Sequence, residues 1–291
     1  MKLKLIYNPY AGRGRALRHA AEIERYLRQR GAEVDVHASS SSDDLTRLAA
    51  EGSRGVYDRV VVCGGDGSLN LAIRDFDLER GTLALIPQGS GDDFAKVNRL
   101  PRGLREACDV ALSGRVREVD VALANGIRYV GVAGLGFDSE VAAFANRNVR
   151  FLRGSAVYLY AILRVLPSFV PHRVTITRDG EVRSEEMMFA VVGSSSRYGG
   201  GIRIVPEAVI DDGILDYCIV HRTSRVQLLK TLPRAYNGTH VRSSFVETGR
   251  GMKFRFESER PLEVYADGER VTSTPVDFGL ETQKLRFVVP L

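Results

Sequence analysis

Three glycine-rich segments are where this chain could do chemistry. They read Asn8-Pro9-Tyr10-Ala11-Gly12-Arg13-Gly14, Gly64-Gly65-Asp66-Gly67-Ser68 and Gly89-Ser90-Gly91-Asp92-Asp93, and each follows a short apolar run. Glycine lets main-chain N–H groups approach phosphate oxygens, and a helix starting just beyond adds a favourable dipole. One such loop is commonly a plain turn. Three at the same end of a parallel sheet point to phosphate binding, to which Arg13 and Arg15 would add charge. No G-x-x-x-x-G-K-[ST] sequence exists, which excludes a Walker loop. Gly12–Leu17 nearly matches the dinucleotide fingerprint, with Asp35 beyond it, but Leu17 stands where close helix–strand packing wants Gly or Ala.

Carboxylates supply the second kind of chemistry. Phosphoryl transfer needs a held triphosphate, charge neutralisation, and a base near the acceptor hydroxyl. Asp66, Asp93 and Asp120 each follow or end a segment of the first half. A hard cation takes oxygen ligands of this kind, although each aspartate could equally be an N-cap or turn residue. Asp211-Asp212-Gly213 and Asp267-Gly268-Glu269 read, by themselves, as turns.

Such residues need elements to position them. Over the first ~120 residues, short apolar runs alternate with amphipathic segments, the pattern of a mostly parallel α/β sheet whose ligands bind beyond the strands' carboxyl ends. Strands are predicted at Lys2–Tyr7, Glu33–His37, Arg59–Cys63 and Gly81–Ile86. Helices are predicted at Arg15–Arg30, with Leu17, Ala20, Ile23 and Leu27 on one face, and at Ser42–Glu51. Beyond about residue 122 the texture becomes that of antiparallel β structure: Arg173–Arg178, Met187–Val192, Ile214–Val220, Met252–Glu257, Leu262–Ala266 and Leu285–Val289 are strand-like, with Asp179-Gly180 as a hairpin turn. A helical passage crosses this half near Val141–Leu166. The expected architecture is therefore two domains: an α/β nucleotide-binding domain over 1–122 and an antiparallel β-sandwich-like domain over 123–291, whose last strand, about 283–291, returns to the first.

Composition narrows the class. With 291 residues, 44% hydrophobic and 26% charged, the chain is an ordinary globular protein. Its net charge of +5 suits anionic nucleotides or lipid headgroups but is too small to argue for nucleic acid. Cys63, Cys108 and Cys218 have no metal or disulfide spacing. No signal peptide or long apolar run is present, so a cytoplasmic location is expected.

The motifs also carry a resemblance. Gly64–Ser68 resembles the GGDGT signature shared by diacylglycerol kinases, sphingosine kinases, NAD kinases and phosphofructokinases. Asn8–Gly12 resembles the NPxSG loop of the lipid-kinase branch, and Pro87–Ala95 its P-x-GTGNDFA segment. The likeness continues in order through Asp120, Gly134–Asp138, Gly199–Gly201, Pro206–Gly213 and Asp267-Gly268-Glu269. Over its whole length the chain is similar to the single-chain bacterial diacylglycerol-kinase-like enzymes. Three positions depart from that pattern: Ser68 for Thr, Asp92 for Asn, and Leu71 where many relatives carry Glu.

What the resemblance implies is an ATP- and Mg²⁺-dependent lipid kinase that phosphorylates diacylglycerol or a related lipid, with Mg-ATP held between the domains. The implied nucleotide set is Asn8, Pro9, Tyr10, Ala11, Gly12, Ser39, Gly64, Gly65, Asp66, Gly67, Ser68, Ser90, Asp93 and Asp120. Ser39 otherwise heads a short polar run, Ser39–Ser42, read as a loop. A structural cation is implied at Asp212 and the carbonyls of Val209 and Ile214. Glu269 is implied as the base, with Asp267 assisting, at the interdomain cleft; in a strand-like segment the two could face the same side. The basic, apolar stretch from Val141 to Arg178 carries Arg147, Arg150, Arg153 and Arg164 and lacks Asp or Glu. It suits peripheral contact with the inner face of an anionic membrane, or equally a helix with a solvated basic face. Two alternatives stay open: an NAD kinase-like enzyme, and a nucleotide-binding regulator without turnover.

Overall fold

The computed structural model describes residues 1–149 and 155–291. In chain order the first elements are β1 (Lys2–Tyr7), α1 (Arg15–Gln29), β2 (Glu33–Ala38), α2 (Ser42–Ser53), β3 (Arg59–Gly64), α3 (Asp66–Ile73), β4 (Thr82–Pro87), α4 (Asp93–Val97), α5 (Leu104–Ser113) and β5 (Arg115–Val119). There follow β6 (Ala122–Ala124), β7 (Ile127–Tyr129), β8 (Val132–Gly136), α6 (Phe137–Asn148), α7 (Ser155–Val165), β9 (His172–Arg178), β10 (Glu181–Gly193), β11 (Leu215–His221) and α8 (Arg225–Tyr236). The chain ends with β12 (Val246–Gly251), β13 (Phe254–Ser258), β14 (Glu263–Ala266), β15 (Glu269–Ser273), β16 (Val276–Leu280) and β17 (Leu285–Val289). Contacts divide it into two units, Met1–Val121 with Thr282–Leu291, and Ala122–Glu281.

The first unit is built on a sheet of order β2-β1-β3-β4-β17-β5. All neighbours run parallel except β17 and β5. Leu3, Leu5, Val61 and Cys63 pack against Ala16, Ile23 and Leu27 of α1 and Ala107 and Cys108 of α5. Val60 and Val62, pointing to the other face, are just as buried. Burial on both faces is what makes these strands continuous apolar runs. In α1 the buried residues are Ala16, Ala20, Ile23 and Leu27. Leu17, expected on that face, is 53% exposed, because it lies one residue, about 100° of helix, off the stripe that starts at Ala16. Strand order reverses between β1 and β3, the switch point at which α/β sheets bind ligands.

In the second unit every strand pairing is antiparallel. The 13-residue β10 organises it. Its first half pairs with β9 and its second half with β8 on one side and β11 on the other, the register against β11 shifting between Met187 and Phe189. One core fills the space among the strands around Phe256, Val276 and Phe278. A second lies under α6, α7 and α8, around Phe137, Ile162 and Phe189. Asp179 and Gly180 have φ of 48° and 94°, as a two-residue hairpin turn requires. No helix among the described residues is long and apolar enough to cross a membrane.

Candidate active site

Backbone contact draws two of the three glycine loops together beyond the carboxyl ends of β3 and β4. A side chain on Gly65 would meet the Cα of Gly89 at 2.7 Å, and one on Gly89 would meet the Cα of Gly65 at 2.6 Å. Polar side chains complete the junction. Asn8 Nδ2 donates to Ser68 Oγ at 3.1 Å, and Asn8 Oδ1 accepts the N–H of Tyr10 at 3.0 Å, shaping the Pro9–Gly12 turn. Asp66 accepts the N–H groups of Asp93 and Phe94, each at 3.0 Å. The N–H groups of Gly67 and Ser68, in the first turn of α3, have no acceptor within that helix, and its Gly65 cap has no side chain to cover them. Ser90 lies in the loop between β4 and α4. The two loops thus bring main-chain donors side by side, flanked by Arg15, whose guanidinium donates to the carbonyl of Gly89.

Three carboxylates stand in these loops. Burial and the neighbouring Asp93 push Asp66 up from the usual carboxylate range, against its two main-chain donors. Burial and Asp66 push Asp92 up to about 6. Asp93 is 2.9 Å from Lys96 Nζ. No group of three or more His, Cys, Asp or Glu side chains among the described residues is placed to hold a metal. Hard-oxygen donors of the kind Mg²⁺ takes, with phosphate oxygens and water completing its shell, are present at Asp66 and Asp93.

Ser39 follows β2, its N–H bonded to the carbonyl of Tyr7 at 3.0 Å, which sets it beside the first loop. Asp120 is elsewhere. β17 runs parallel to β4, with Arg286 beside Thr82, and β5 runs antiparallel to β17, with Leu285 beside Val119. Asp120 therefore lies at the amino-terminal end of β4, opposite the loops, bound at 2.8 Å to Lys284 Nζ.

In the second unit, Asp267 and Gly268 are the central pair of the β14–β15 hairpin, with φ of 49° and 88°. They are turn residues rather than strand residues, so Asp267 and Glu269 do not alternate along one strand as expected. The Asp267 carboxylate accepts the N–H groups of Gly131 and Val132, both at 3.0 Å, and its own N–H bonds the carbonyl of Val132 at 3.1 Å. Glu269 opens β15 and is exposed.

The loop before β11 gathers charge. Asp212 accepts the N–H of Ile214 at 3.3 Å and lies 3.3 Å from Arg250 Nη1. Arg250 also donates to Asp216 at 3.2 Å and to the carbonyl of Glu207 at 3.3 Å. Asp216 is buried, its Oδ2 has no hydrogen-bond partner, and burial raises its carboxyl to about 6. The Arg250 guanidinium thus bridges Asp212 and Asp216, and a cation at Asp212 with the carbonyls of Val209 and Ile214 is a proposal that Mg²⁺ titration tests.

An apolar cavity opens under α7 and α8, walled by Val141, Ile162, Phe189, Val220, Leu228 and Leu232. Its free volume is ≈ 80 Å³, well below that of a drug-sized ligand site. Few polar groups reach it. Asp138 accepts the Tyr198 hydroxyl at 2.6 Å, and burial lifts its carboxyl to about 6. His240 bonds the carbonyl of Ile204 through Nε2, while its buried Nδ1 has no partner.

Comparison with known proteins agrees with both units. Residues 2–124 match the family model described as the diacylglycerol kinase catalytic domain, and residues 131–289 match the YegS C-terminal NAD kinase beta sandwich-like domain. The diacylglycerol kinase of Mycobacterium tuberculosis is 32% identical over 99% of this chain and 95% of its own. The chain belongs to the diacylglycerol kinase family. It is a lipid kinase. The diacylglycerol kinase of Bacillus subtilis is 26% identical over 99% of this chain and 96% of its own. A Bacillus anthracis crystal structure, provisionally described as a diacylglycerol kinase, superposes with a TM-score of 0.85 at 27% identity, covering 99% of this chain and 95% of that one.

In this lipid kinase the fold gathers Asn8–Gly12, Gly64–Ser68, Ser90 and Asp93, sets Ser39 beside them, and leaves Asp120 at the far end of the sheet. Sequence reasoning gave no role to Asp138, Tyr198, Asp216 or Arg250. A signal for Asp138 existed in Gly134-Leu135-Gly136-Phe137-Asp138: any side chain on Gly134 would collide with the Asp138 carboxylate. The stretch from Val141 to Arg178 is mixed. Arg147 is 3.8 Å from Glu263, Leu166 is buried, and Leu159 and Leu163 are exposed on α7. Arg150, Phe151, Leu152 and Arg153 lie outside the described residues.

Proposed function

We propose that this lipid kinase transfers the γ-phosphoryl group of ATP, with Mg²⁺, to a hydroxyl of diacylglycerol or a related lipid. The observation that carries the donor half is the contact of Gly65 with Gly89, which packs two main-chain donor loops edge to edge beside the β1–β3 switch point. Arg15 and the first turn of α3 add positive charge where phosphates would lie. Bound Mg²⁺ supplies charge neutralisation at the β- and γ-phosphates; Asp66 and Asp93 are the residues offered to hold it. Asp120, paired with Lys284 at the other end of the sheet, is left out of this set.

The acceptor half rests on the second unit. The Glu269 carboxylate takes the proton of the lipid hydroxyl as that oxygen attacks the γ-phosphorus, and ADP leaves. Asp267, both of whose oxygens accept main-chain N–H groups, positions the turn that presents Glu269. Diacylglycerol is the substrate in the names of the relatives, which supports a diacylglycerol-like acceptor. Exposed Leu159 and Leu163 on α7, with Arg164 in its last turn, support a peripheral approach to an anionic membrane. The test is γ-labelled ATP with a panel of lipids in mixed micelles and NAD as a control. Label in phosphatidic acid confirms the reading; label only in the dinucleotide overturns it.

A further inference from the structure

We propose that Asp92 is a built-in anion of the phosphate cradle, one that competes with the nucleotide for Arg15 and Gly89 and so weakens donor binding. The proposal rests on the ATP reading above. Asp92 has left-handed backbone, φ 51° and ψ 45°, which turns its side chain back over the loop before it. Its Oδ1 accepts the N–H of Gly89 at 2.8 Å, a main-chain donor of the kind that phosphates take. The same oxygen lies 3.6 Å from where a Cβ on Gly65 would stand, so the carboxylate sits between the second and third loops. Its Oδ2 is 3.8 Å from Arg15 Nη2. The Nε of Arg15 is buried without an acceptor.

A carboxylate that accepts a loop N–H and faces a guanidinium does what a phosphate oxygen would do there. Asp66 and Asp93 add like charge nearby, and Lys96 and Arg15 are the cations that face the group. A triphosphate entering the cradle meets Asp92 at short range, and Arg15 can pair fully with only one of them. Asparagine, which stands here in the segment this loop resembles, tolerates the left-handed backbone. Its amide oxygen can accept the same Gly89 N–H. Asp92→Asn therefore removes the charge and keeps the turn.

The experiment is calorimetric titration of the full chain with Mg-ATP, in the wild type, Asp92→Asn, Arg15→Gln and the double variant. Asp92→Asn should bind about tenfold more tightly, the scale of one unit charge removed from a partly buried site. The gain should shrink in the Arg15→Gln background, because the two groups act through one contact. Equal or weaker binding by Asp92→Asn overturns the proposal alone, and a full gain without Arg15 overturns its competitive mechanism. No binding by any of the four overturns the ATP reading and the proposal with it. Should Asp92→Asn fail to fold, Asp92→Gly, suited to the same φ, carries the same expectation.

Discussion

Asn8 and Ser68 are joined by a hydrogen bond of 3.1 Å, from Nδ2 to Oγ, that ties the loop after β1 to the first turn of α3. The Asn8 amide is committed on both sides, since its oxygen also accepts the N–H of Tyr10. Ser68 is buried, so Ser68→Ala leaves a donor without its partner at a cost of about 1–3 kcal/mol. The variant should melt a few degrees lower and bind ATP more weakly, by differential scanning fluorimetry and calorimetry. Ser68→Thr, which keeps the oxygen, should match the wild type in both. A Ser68→Ala protein indistinguishable from wild type would show that the two loops hold their places without this bond.

A second expectation concerns pH. Burial raises Asp138 to about 6 from 3.8, so the folded protein keeps this proton at pH values where the unfolded chain has lost it. More protons bound to the native state means that stability falls as pH rises, here between about 4 and 6. Asp138→Asn keeps an oxygen for the Tyr198 hydroxyl and removes the titration. Its stability, measured by urea unfolding from pH 4 to 7, should be flatter than the wild type's by one proton's slope in that window. Parallel curves would mean that Asp138 is not held in a raised state.

Much of this was legible in the residues, and the failures have physical causes. β3 could be read because burial on both faces leaves an apolar run, and the Asp179-Gly180 hairpin because the turn demands those residues. β12, Val-Glu-Thr-Gly-Arg-Gly, could not, since it is held in the sheet by pairing with β11 rather than by a local pattern. The polar first half of β10 was missed for the same reason: Glu181–Glu186 face β9 at the surface. In the site, residue types announced the phosphate loops, but their contacts with one another are long-range. Asp120 shows the limit most clearly. Its separation from the loops is set by the return of β17, a pairing across more than half the chain that no local window contains.

The loop at Asp212 yields a third expectation. A cation bound only by the native state must stabilise it in proportion to occupancy. Mg²⁺ added after chelation should raise the melting temperature of the wild type and leave that of Asp212→Ala unmoved. The variant should also start lower, because it loses the Ile214 N–H bond and the Arg250 ion pair as well. The increment with Mg²⁺, rather than the starting temperature, is the diagnostic quantity. An equal increment in both proteins would move the cation away from Asp212.

The last expectation separates the two carboxylates of the β14–β15 hairpin. Asp267 accepts N–H groups from Gly131 and Val132, and one oxygen of an asparagine could serve only one of them well. Asp267→Asn should therefore lower the melting temperature as well as kcat. Glu269 is exposed at the start of β15, so Glu269→Gln should leave melting and ATP affinity at wild-type values. A carboxylate base contributes roughly 10²–10⁴-fold to a step of this kind, and kcat should fall by about that factor. The pH profile adds a readout that a structural role would not move: the acidic limb of kcat, set by a carboxylate that must be ionised, should disappear in Glu269→Gln and persist in Asp267→Asn. If Asp267→Asn instead loses activity at an unchanged melting temperature while Glu269→Gln keeps it, the roles are exchanged. If both variants phosphorylate lipid at the wild-type rate, the proton goes to another group and the hairpin is only a turn.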